Sequence, residues 1–357
     1  MYAQIPLLED PPSEVLQLRE RLGAEWPSIT RSKTEALVAI ERLRSELVEG
    51  IPANTSFVTY GSLARHEFTG GSDIDWTLLL DGPCDPAHKD AEIRLRRRLR
   101  ELGYKEPNPV GSFGGLTSSH DLIHRIGGDD DTNSNTTQRI LLLLESAPVG
   151  DETGYRSVIH NVLRRYIEED LLGSTDSPFR VSRFLQNDVA RYWRTMTVDF
   201  AHKRRTDEHG WALRTVKLRM SRKLIYVAGL LSCFSCEIEF ASKPRNVPGA
   251  DVMRVIEHLE KLVRKTPLDI VAGFVLLYFG DLSGCAKDLF GAYDDFLCTL
   301  SDRRREHLKE LTPAAAGEDG VFAEAREVGQ RFQDALTRMF FESDTPLREL
   351  TKRYGVF

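Results

Sequence analysis

The amino-acid sequence predicts an α+β protein, in which a small α/β head with a mixed sheet is followed by a mainly α-helical body. Short β-rich runs alternate with helical patterns between residues 51 and 150. From Tyr155 onward, apolar residues recur almost throughout at the spacing of amphipathic helices. The predicted parts are N-terminal helices packing on the head (1–50), the head (51–150), a helical domain (151–311), a linker (312–320) and C-terminal helices (321–357).

Local patterns place the individual elements. The first helix ends where Gly50 and Pro52 interrupt an apolar stripe. The predicted helices of the head region span residues 30–49, 86–102 and 136–146, and its predicted strands span residues 56–61, 73–82 and 118–128. The predicted helices of the body span residues 155–172, 179–200, 211–231, 252–265, 268–278 and 286–311. The segment TPAAAGEDG is the predicted linker.

Composition excludes several classes of protein. The 357 residues include 48 Lys or Arg and 54 Asp or Glu, and the resulting net charge of −6 excludes a broadly basic nucleic-acid coat. No apolar run approaches the roughly 18 residues of a membrane span, and no export signal is apparent, so we expect a cytoplasmic protein with no membrane partner. The five cysteines predict no disulfide framework, and we interpret Cys233 and Cys236 as buried packing residues.

The residues most informative about function are Gly61 and Ser62, followed after a short spacer by Asp73 and Asp75. Alternate residues of a strand share a face, so the two carboxylates are expected to converge. Side-by-side carboxylates repel unless a cation lies between them, which indicates a divalent metal, Mg²⁺ or Mn²⁺. The Gly-Ser pair precedes a short helical segment and would offer backbone N–H groups to a phosphate. The alternative is that the Asp pair only decorates a surface turn.

This arrangement resembles the nucleotidyltransferase superfamily typified by DNA polymerase β. The family motif is a hydrophobic residue, Gly and Gly or Ser, a spacer of about this length, and then Asp, a hydrophobic residue and Asp or Glu. Residues 60–62 and 73–75 match it position by position. The resemblance covers roughly residues 56–146. Within the superfamily, the layout looks most like the bacterial putative nucleotidyltransferases related to the uridylyl- and adenylyltransferases of nitrogen control.

The resemblance also implies a third carboxylate on a later strand, sharing the catalytic metal and helping to deprotonate the attacking hydroxyl. Asp121 is the best match, because it falls in the strand predicted over residues 118–128. Its rivals in the following turn-like segment are Asp129, Asp130 and Asp131. We interpret His120 and His124 as structural residues of the opposite strand face.

Basic residues supply the remaining site predictions. Arg65 lies where it could reach a triphosphate, although an exposed helical arginine is the simpler interpretation. Residues 191–223 hold ten Lys or Arg against three Asp or Glu, an excess that usually marks a solvated face. Within this segment, Lys217 borders an apolar helical stripe, which favours either contact with a nucleotide phosphate or snorkelling of its ammonium to solvent. The outer-facing basic residues predicted to bind the acceptor are Arg219, Arg222 and Lys223.

Together these patterns predict a metal-dependent nucleotidyltransferase. It would move a nucleoside monophosphate from an NTP to a discrete hydroxyl acceptor, which could be a protein, an RNA end or a second nucleotide, and release pyrophosphate. Asp73, Asp75 and Asp121 would hold two metal ions, while Gly61 and Ser62 would hold the β- and γ-phosphates. Two alternatives remain open at this point. One is a catalytically idle nucleotide sensor, and the other is a nucleic-acid-binding protein that uses residues 191–223 as its contact surface.

Overall fold

The computed structural model describes residues 13–47, 50–105, 107, 113–171, 181–240 and 248–355. Its mixed sheet and large helical body confirm the predicted α+β class. The strands are β1 (Thr55–Tyr60), β2 (Asp75–Leu80), β3 (Gly115–Ser118) and β4 (Ser146–Val149). The N-terminal and head helices are α1 (Glu14–Leu22), α2 (Pro27–Leu47), α3 (Gly61–Ala64), α4 (Pro86–Glu101), α5 (Ser119–Ile123) and α6 (Asn133–Leu144).

The body consists of helices with three π-helical turns. Its helices are α7 (Thr153–Leu171), α8 (Arg183–Thr206), α9 (Trp211–Lys217), α10 (Lys223–Phe240), α11 (Pro248–Val263), α12 (Pro267–Leu277), α13 (Phe279–Ser301), α14 (Arg303–Glu310), α15 (Gly320–Thr337) and α16 (Pro346–Leu350). The π-helical turns are Leu218–Arg222, Arg338–Glu342 and Thr351–Gly355. No helix in the described ranges is both long and apolar enough to cross a membrane.

The sheet has the strand order β3-β2-β1-β4. Strand β1 is antiparallel to both β2 and β4, whereas β2 and β3 are parallel. In this register Tyr60, the last residue of β1, lies opposite Asp75 of β2 and Ser146 of β4. The end of β1 and the starts of β2 and β4 therefore lie side by side at the same end of the strands.

The two faces of the sheet bury different cores. Phe57, Trp76 and Leu78 pack on one face with apolar residues of α2 and α4. Val58 and Leu79 pack on the other face, in the core that continues into the helical body. Because side chains alternate along β2, Asp75 shares the body-facing side with Leu79, while its neighbour Trp76 faces the opposite core.

The third strand was predicted in the wrong place. Strand β3 ends at Ser118, and residues Ser119–Ile123 form the short helix α5 instead. The Ser118 hydroxyl accepts a hydrogen bond from the His120 backbone N–H, which is the geometry of a helix N-cap. Thus the pair of serines that was taken as part of a strand starts a helix.

Other boundaries also differ from the sequence predictions. The sequence did not indicate β4, whose Pro148 is compatible with its position at the edge of the sheet. The helix predicted over residues 286–311 is interrupted at Asp302, whose carboxylate accepts a hydrogen bond from the Arg304 N–H and caps α14. Residues 1–12 of the predicted N-terminal part, and the start of the helix predicted over 179–200, lie outside the described residues.

The N-terminal and C-terminal helices both pack on the body. Helix α1 contacts α12, and α2 contacts both α13 and the head elements α3 and β4. The predicted linker lies in the turns between α14 and α15, and α15 packs along α13.

A buried ionic cluster fastens the head to the body. Arg139 of α6 is fully buried, and its Nη2 donates to Asp131 at 2.9 Å and to Asp188 of α8 at 2.7 Å. Its Nε donates to the Tyr166 hydroxyl at 2.6 Å. Asp131, one of the sequence's candidate third carboxylates, is therefore committed to a structural contact.

We expect Arg139→Met to lower the free energy of unfolding by about 3–5 kcal/mol, because Asp131 and Asp188 would stay buried without their cation. Urea unfolding measures this loss. The matched control is Arg164→Met, because Arg164 forms an exposed pair with Glu168 at 2.6 Å, and such pairs contribute at most about 0.5 kcal/mol. Equal losses in the two variants would contradict a stabilising role for the buried cluster.

Candidate functional site

The candidate site lies where β1 ends and β2 begins, facing the helical body. Gly61 follows Tyr60 directly and adopts a left-handed backbone conformation with φ of 67°. A Cβ atom built on Gly61 would lie 2.8 Å from Oδ2 of Asp75. The turn thus needs glycine for two reasons, backbone conformation and close approach to a carboxylate. This contact brings the Gly-Ser turn and the second Asp of the motif together.

Asp73 and Asp75 are electrostatic neighbours, but β2 begins at Asp75, so Asp73 lies in the loop before the strand and not in the strand predicted over residues 73–82. Asp73 is exposed and Asp75 is half-buried, while Ile74 and Trp76 between and beside them are buried in the opposite core. Burial raises the pKa of the Asp75 carboxyl from 3.8 to about 6, and the neighbouring Asp73 charge adds to the increase. The pair is consequently held in a state of mutual repulsion that a bound cation would relieve.

Basic side chains of the body face these carboxylates. Lys217, at the end of α9, is half-buried, and burial lowers the pKa of its ammonium to about 8. Arg305 and Arg222 lower that pKa further, whereas Asp73 raises it, so all four groups are electrostatic neighbours. The Lys217 carbonyl accepts a hydrogen bond from the Ser221 hydroxyl at 3.3 Å, but its ammonium has no hydrogen bond or ion pair among the described residues and is available to a ligand.

Arg305 of α14 reaches across to the loop that precedes Asp73. Its Nη1 donates to the Thr69 hydroxyl at 3.2 Å. A Cβ atom on Gly71 would lie 2.5 Å from the same nitrogen, so the absence of a side chain at Gly71 makes room for the arginine. The loop carrying Asp73 is thereby tied to the body.

Arg65 joins the turn to two buried carboxylates. Its Nε donates to Glu67 at 2.9 Å, and its Nη1 donates to Glu145 at the end of α6. Glu67 in turn accepts a 2.6 Å hydrogen bond from the Tyr293 hydroxyl of α13. Glu145 is also paired with Nη1 of Arg222 at 3.3 Å. We call this chain of contacts, from Tyr293 through Glu67, Arg65 and Glu145 to Arg222, the buried charge chain.

The π-helical turn Leu218–Arg222 explains how two basic residues of one helix face the site. Residues five apart point about 140° away from each other in a regular α-helix. In a π-helical turn the backbone bonds residue i to residue i+5, so Lys217 and Arg222 lie close to the same face. Both are therefore near Asp73 or Asp75.

The structure does not bring Asp121 to this group. Strand β3 is parallel to β2 and its end, Ser118, lies opposite Leu80, so Asp121 follows at the edge of the sheet away from Asp75. Its carboxylate is about two-fifths exposed and pairs with Arg125 at 2.9 Å. The predicted third carboxylate was wrong because the strand that was to carry it is the helix α5.

The three predicted acceptor residues are found in different surroundings. Arg219 is exposed and lies against Gly329 of α15. Arg222 belongs to the buried charge chain and is an electrostatic neighbour of Asp75. Lys223 donates to Gln333 of α15 at 2.5 Å. Of the three, Arg222 alone is placed among the carboxylates. Arg65, which the sequence suggested could be an exposed helical arginine, is 6% exposed and does not lie on an open helix surface.

Glu145 and Arg305 are site residues that sequence reasoning missed. Glu145 ends the apolar run ILLLLE, where a polar residue ordinarily marks the end of a helix, and its partners lie 80 and 77 positions away. Arg305 lies in the run RRRE, which is typical of an exposed helix start. An acidic residue directly before a short strand was the available signal for Glu145, but β4 itself was not predicted.

The carboxylates fit a metal ion that takes further ligands from a substrate. Within the described ranges, no three His, Cys, Asp or Glu residues form a group that could hold a metal by themselves. Glu145 is engaged by two arginines, so Asp73 and Asp75 are the available ligands. Mg²⁺ commonly binds through one or two carboxylates with substrate phosphates and water completing its coordination, and this donor set satisfies that requirement.

No protein-family model matches the chain, and no curated protein matches it significantly.

We expect Gly61→Ala to lower the free energy of unfolding by about 1–2 kcal/mol and to displace the Asp75 carboxylate, because alanine disfavours the left-handed conformation. Urea unfolding checks the loss. Gly284→Ala in α13 is the matched control, since a Cβ there meets nothing within 4 Å, and it should stabilise the helix by about 0.5–1 kcal/mol. A Gly61 variant as stable as wild type would show that the turn tolerates a side chain.

A second expectation concerns pH. The raised pKa of Asp75 means that the folded state binds a proton more tightly than the unfolded state, so this carboxyl stabilises the fold at low pH and loses that contribution as pH rises from about 4 to 6. Between about pH 4 and pH 6 in metal-free buffer, the free energy of unfolding of Asp75→Asn should therefore rise by about 2 kcal/mol relative to that of wild type. Asp73→Asn should show a smaller pH-dependent change. Urea unfolding at successive pH values measures both, with Asp121→Asn as control, and parallel wild-type and Asp75→Asn curves would contradict the expectation.

Proposed function

We propose that the protein is a nucleotidyltransferase that moves a nucleoside monophosphate from an NTP to a discrete hydroxyl acceptor and releases pyrophosphate. The observation that carries this proposal is that two carboxylates of the head face several cations of the body. Asp73 and Asp75 lie on the head, and Lys217, Arg222 and Arg305 face them from the body. A metal–triphosphate complex has the complementary charge distribution.

The chain's own residues have separate roles in this proposal. Asp73 and Asp75 would hold Mg²⁺ or Mn²⁺, which when bound would neutralise charge on the phosphates. Lys217 and Arg222 would bind phosphate oxygens, and Gly61 and Ser62 would let the backbone approach the triphosphate closely. The residues thus act by positioning the phosphates and by stabilising the charge of the transition state. The reaction uses NTPs, so the proposal implies a cytoplasmic protein.

The third carboxylate of the sequence prediction is not part of this proposal. Asp121 lies at the other edge of the sheet, and Glu145 serves the two arginines. Asp73 and Asp75 would therefore hold one ion, and the substrate would supply the remaining negative ligands. A second ion would need ligands from the substrate and water alone.

The test is incubation with each α-labelled NTP in Mg²⁺ or Mn²⁺, with product label and pyrophosphate measured together. Asp73→Asn and Asp75→Asn should each lower the transfer rate by at least about 100-fold, because each removes a metal ligand. Lys217→Ala should raise the KM for NTP by about 10-fold or more, since a charge-assisted hydrogen bond to phosphate is lost. Lys89→Ala, an exposed lysine of α4, is the matched control.

Two outcomes would overturn the proposal. Transfer at the full rate in chelator would exclude the role of the metal site. Nucleotide binding that is sensitive to Lys217→Ala, with no labelled product and no pyrophosphate from any NTP, would identify the chain as a nucleotide sensor.

A further inference from the structure

The last turn of α8 is exposed on every side. The buried residues of this helix all lie in its first half and end at Tyr192. Every residue from Ala201 to Thr206 is exposed. A helical turn that packs against nothing gains no stabilisation from apolar burial, so its sequence is not fixed by a core.

This turn carries positive charges that the rest of the protein does not neutralise. Lys203 pairs with Asp199 at 2.7 Å, but Arg204 and Arg205 have no ion pair among the described residues. Arg194, earlier in the helix, is also exposed and makes no such pair. Elsewhere, some exposed arginines are paired with a carboxylate one turn away, as Arg164 is, and others such as Arg31 and Arg97 have no ion pair among the described residues. Helix α8 thus carries three unpaired arginines in a chain of net charge −6.

The exposed charges form a stripe along the helix. Arg194, Val198, Ala201 and Arg205 are exposed and follow the four-three-four spacing of one helical face. The stripe is about 16 Å long at the rise of an α-helix, with an arginine at each end and small apolar side chains between them. Arg204 lies beside this face, about 100° around the helix from Arg205. We call Arg194, Val198, Ala201 and Arg205, together with the neighbouring Arg204, the α8 stripe.

The α8 stripe lies near the candidate site. The chain turns at Gly210, whose N–H donates to the Lys309 carbonyl of α14 at 2.8 Å, and continues into α9. Lys217 follows Trp211 by about 9 Å of helix, and Arg305 precedes Lys309 by about 6 Å. The end of α8 is thus joined through Gly210 to the two helices that carry Lys217 and Arg305.

We propose that the α8 stripe binds the phosphate backbone of a single-stranded RNA whose terminal hydroxyl is the acceptor at Asp73 and Asp75. This inference rests on the proposed function. RNA matches both the α8 stripe and the candidate site, because its regularly spaced phosphates complement the arginines and its strand ends in a hydroxyl. The cations of the stripe offer no fixed pattern of donors and acceptors that would read bases, so they would position the strand and not select its sequence. An acidic protein acceptor lacks a regular charge spacing and is the competing outcome.

The experiment measures binding without NTP, by the fluorescence anisotropy of a single-stranded RNA of about 12 nucleotides across a salt series. In single strands each phosphate contact contributes roughly 0.7 to the slope of log affinity against log salt. Replacing Arg194, Arg204 and Arg205 by Ser should therefore reduce the slope by about 2 and weaken binding about 100-fold at 0.1 M salt. Circular dichroism checks folding, which exposed residues should not disturb.

The matched control removes three exposed cations from other helices: Arg31, Arg97 and Lys261, each replaced by Ser. It should keep both the slope and the affinity. The proposal is overturned if the α8 variant binds RNA like wild type, if the control weakens binding equally, or if polyglutamate but not RNA binds through the α8 arginines.

A second measurement separates this inference from the proposed function. The Asp73→Asn, Asp75→Asn double variant should bind RNA normally while failing to label it. If RNA binds through the α8 stripe but wild type labels nothing, the surface assignment stands and the transfer proposal fails. If labelling occurs, the α8 variant should raise the KM for RNA about 100-fold and leave the KM for NTP unchanged.

Discussion

The buried charge chain from Tyr293 to Arg222 holds the head and the body in one arrangement. Arg65 is 6% exposed and shares its guanidinium between Glu67 and Glu145, which are also buried. Removing water from such groups is costly, and the cost is offset only if every charge keeps a partner. Because Arg65 directly follows α3, the same contacts that join the two parts also fix the turn at Gly61. The position of the turn is thus a consequence of tertiary ion pairing and not of local sequence alone.

The buried charge chain also sets the electrostatics of the site. Arg222 and Arg65 lower the pKa of Asp75, but burial, Asp73 and Glu145 raise it by more. Beside this chain, Asp73 and Asp75 lie on the head, and the ammonium of Lys217 faces them from the body without an ion pair of its own among the described residues. This arrangement favours a ligand with a cation at one side and several anionic oxygens at the other. An NTP without a bound cation would complement only the positive groups of the body and would be repelled by Asp73 and Asp75.

What could be predicted from the sequence is what depends on local geometry. The short spacing keeps Asp73 close to Asp75 even though β2 begins only at Asp75, and the left-handed turn explains why a glycine stands at position 61. The helical stripe identified Lys217 as partly buried, as the structure has it. Asp121 was predicted to lie in a strand because the sequence alone does not distinguish a serine pair that continues a strand from one that caps a helix. Glu145 was missed because its role comes from arginines far away in sequence. The direction in which Arg222 points depends on a π-helical turn, and the spacing of apolar residues does not reveal such a turn.

Net charge and local charge lead to different expectations for the acceptor. A protein of net charge −6 repels a polyanion at long range, but at physiological salt that repulsion is screened beyond about 8 Å. A strand that reaches the α8 stripe then meets unpaired arginines at a distance where attraction dominates. Because Gly210 joins the end of α8 to α9 and α14, which carry Lys217 and Arg305, a strand bound along the stripe would extend toward the carboxylates. The acidic remainder of the surface would oppose binding in other orientations, so the same charge distribution that weakens general affinity for nucleic acid favours one direction of approach.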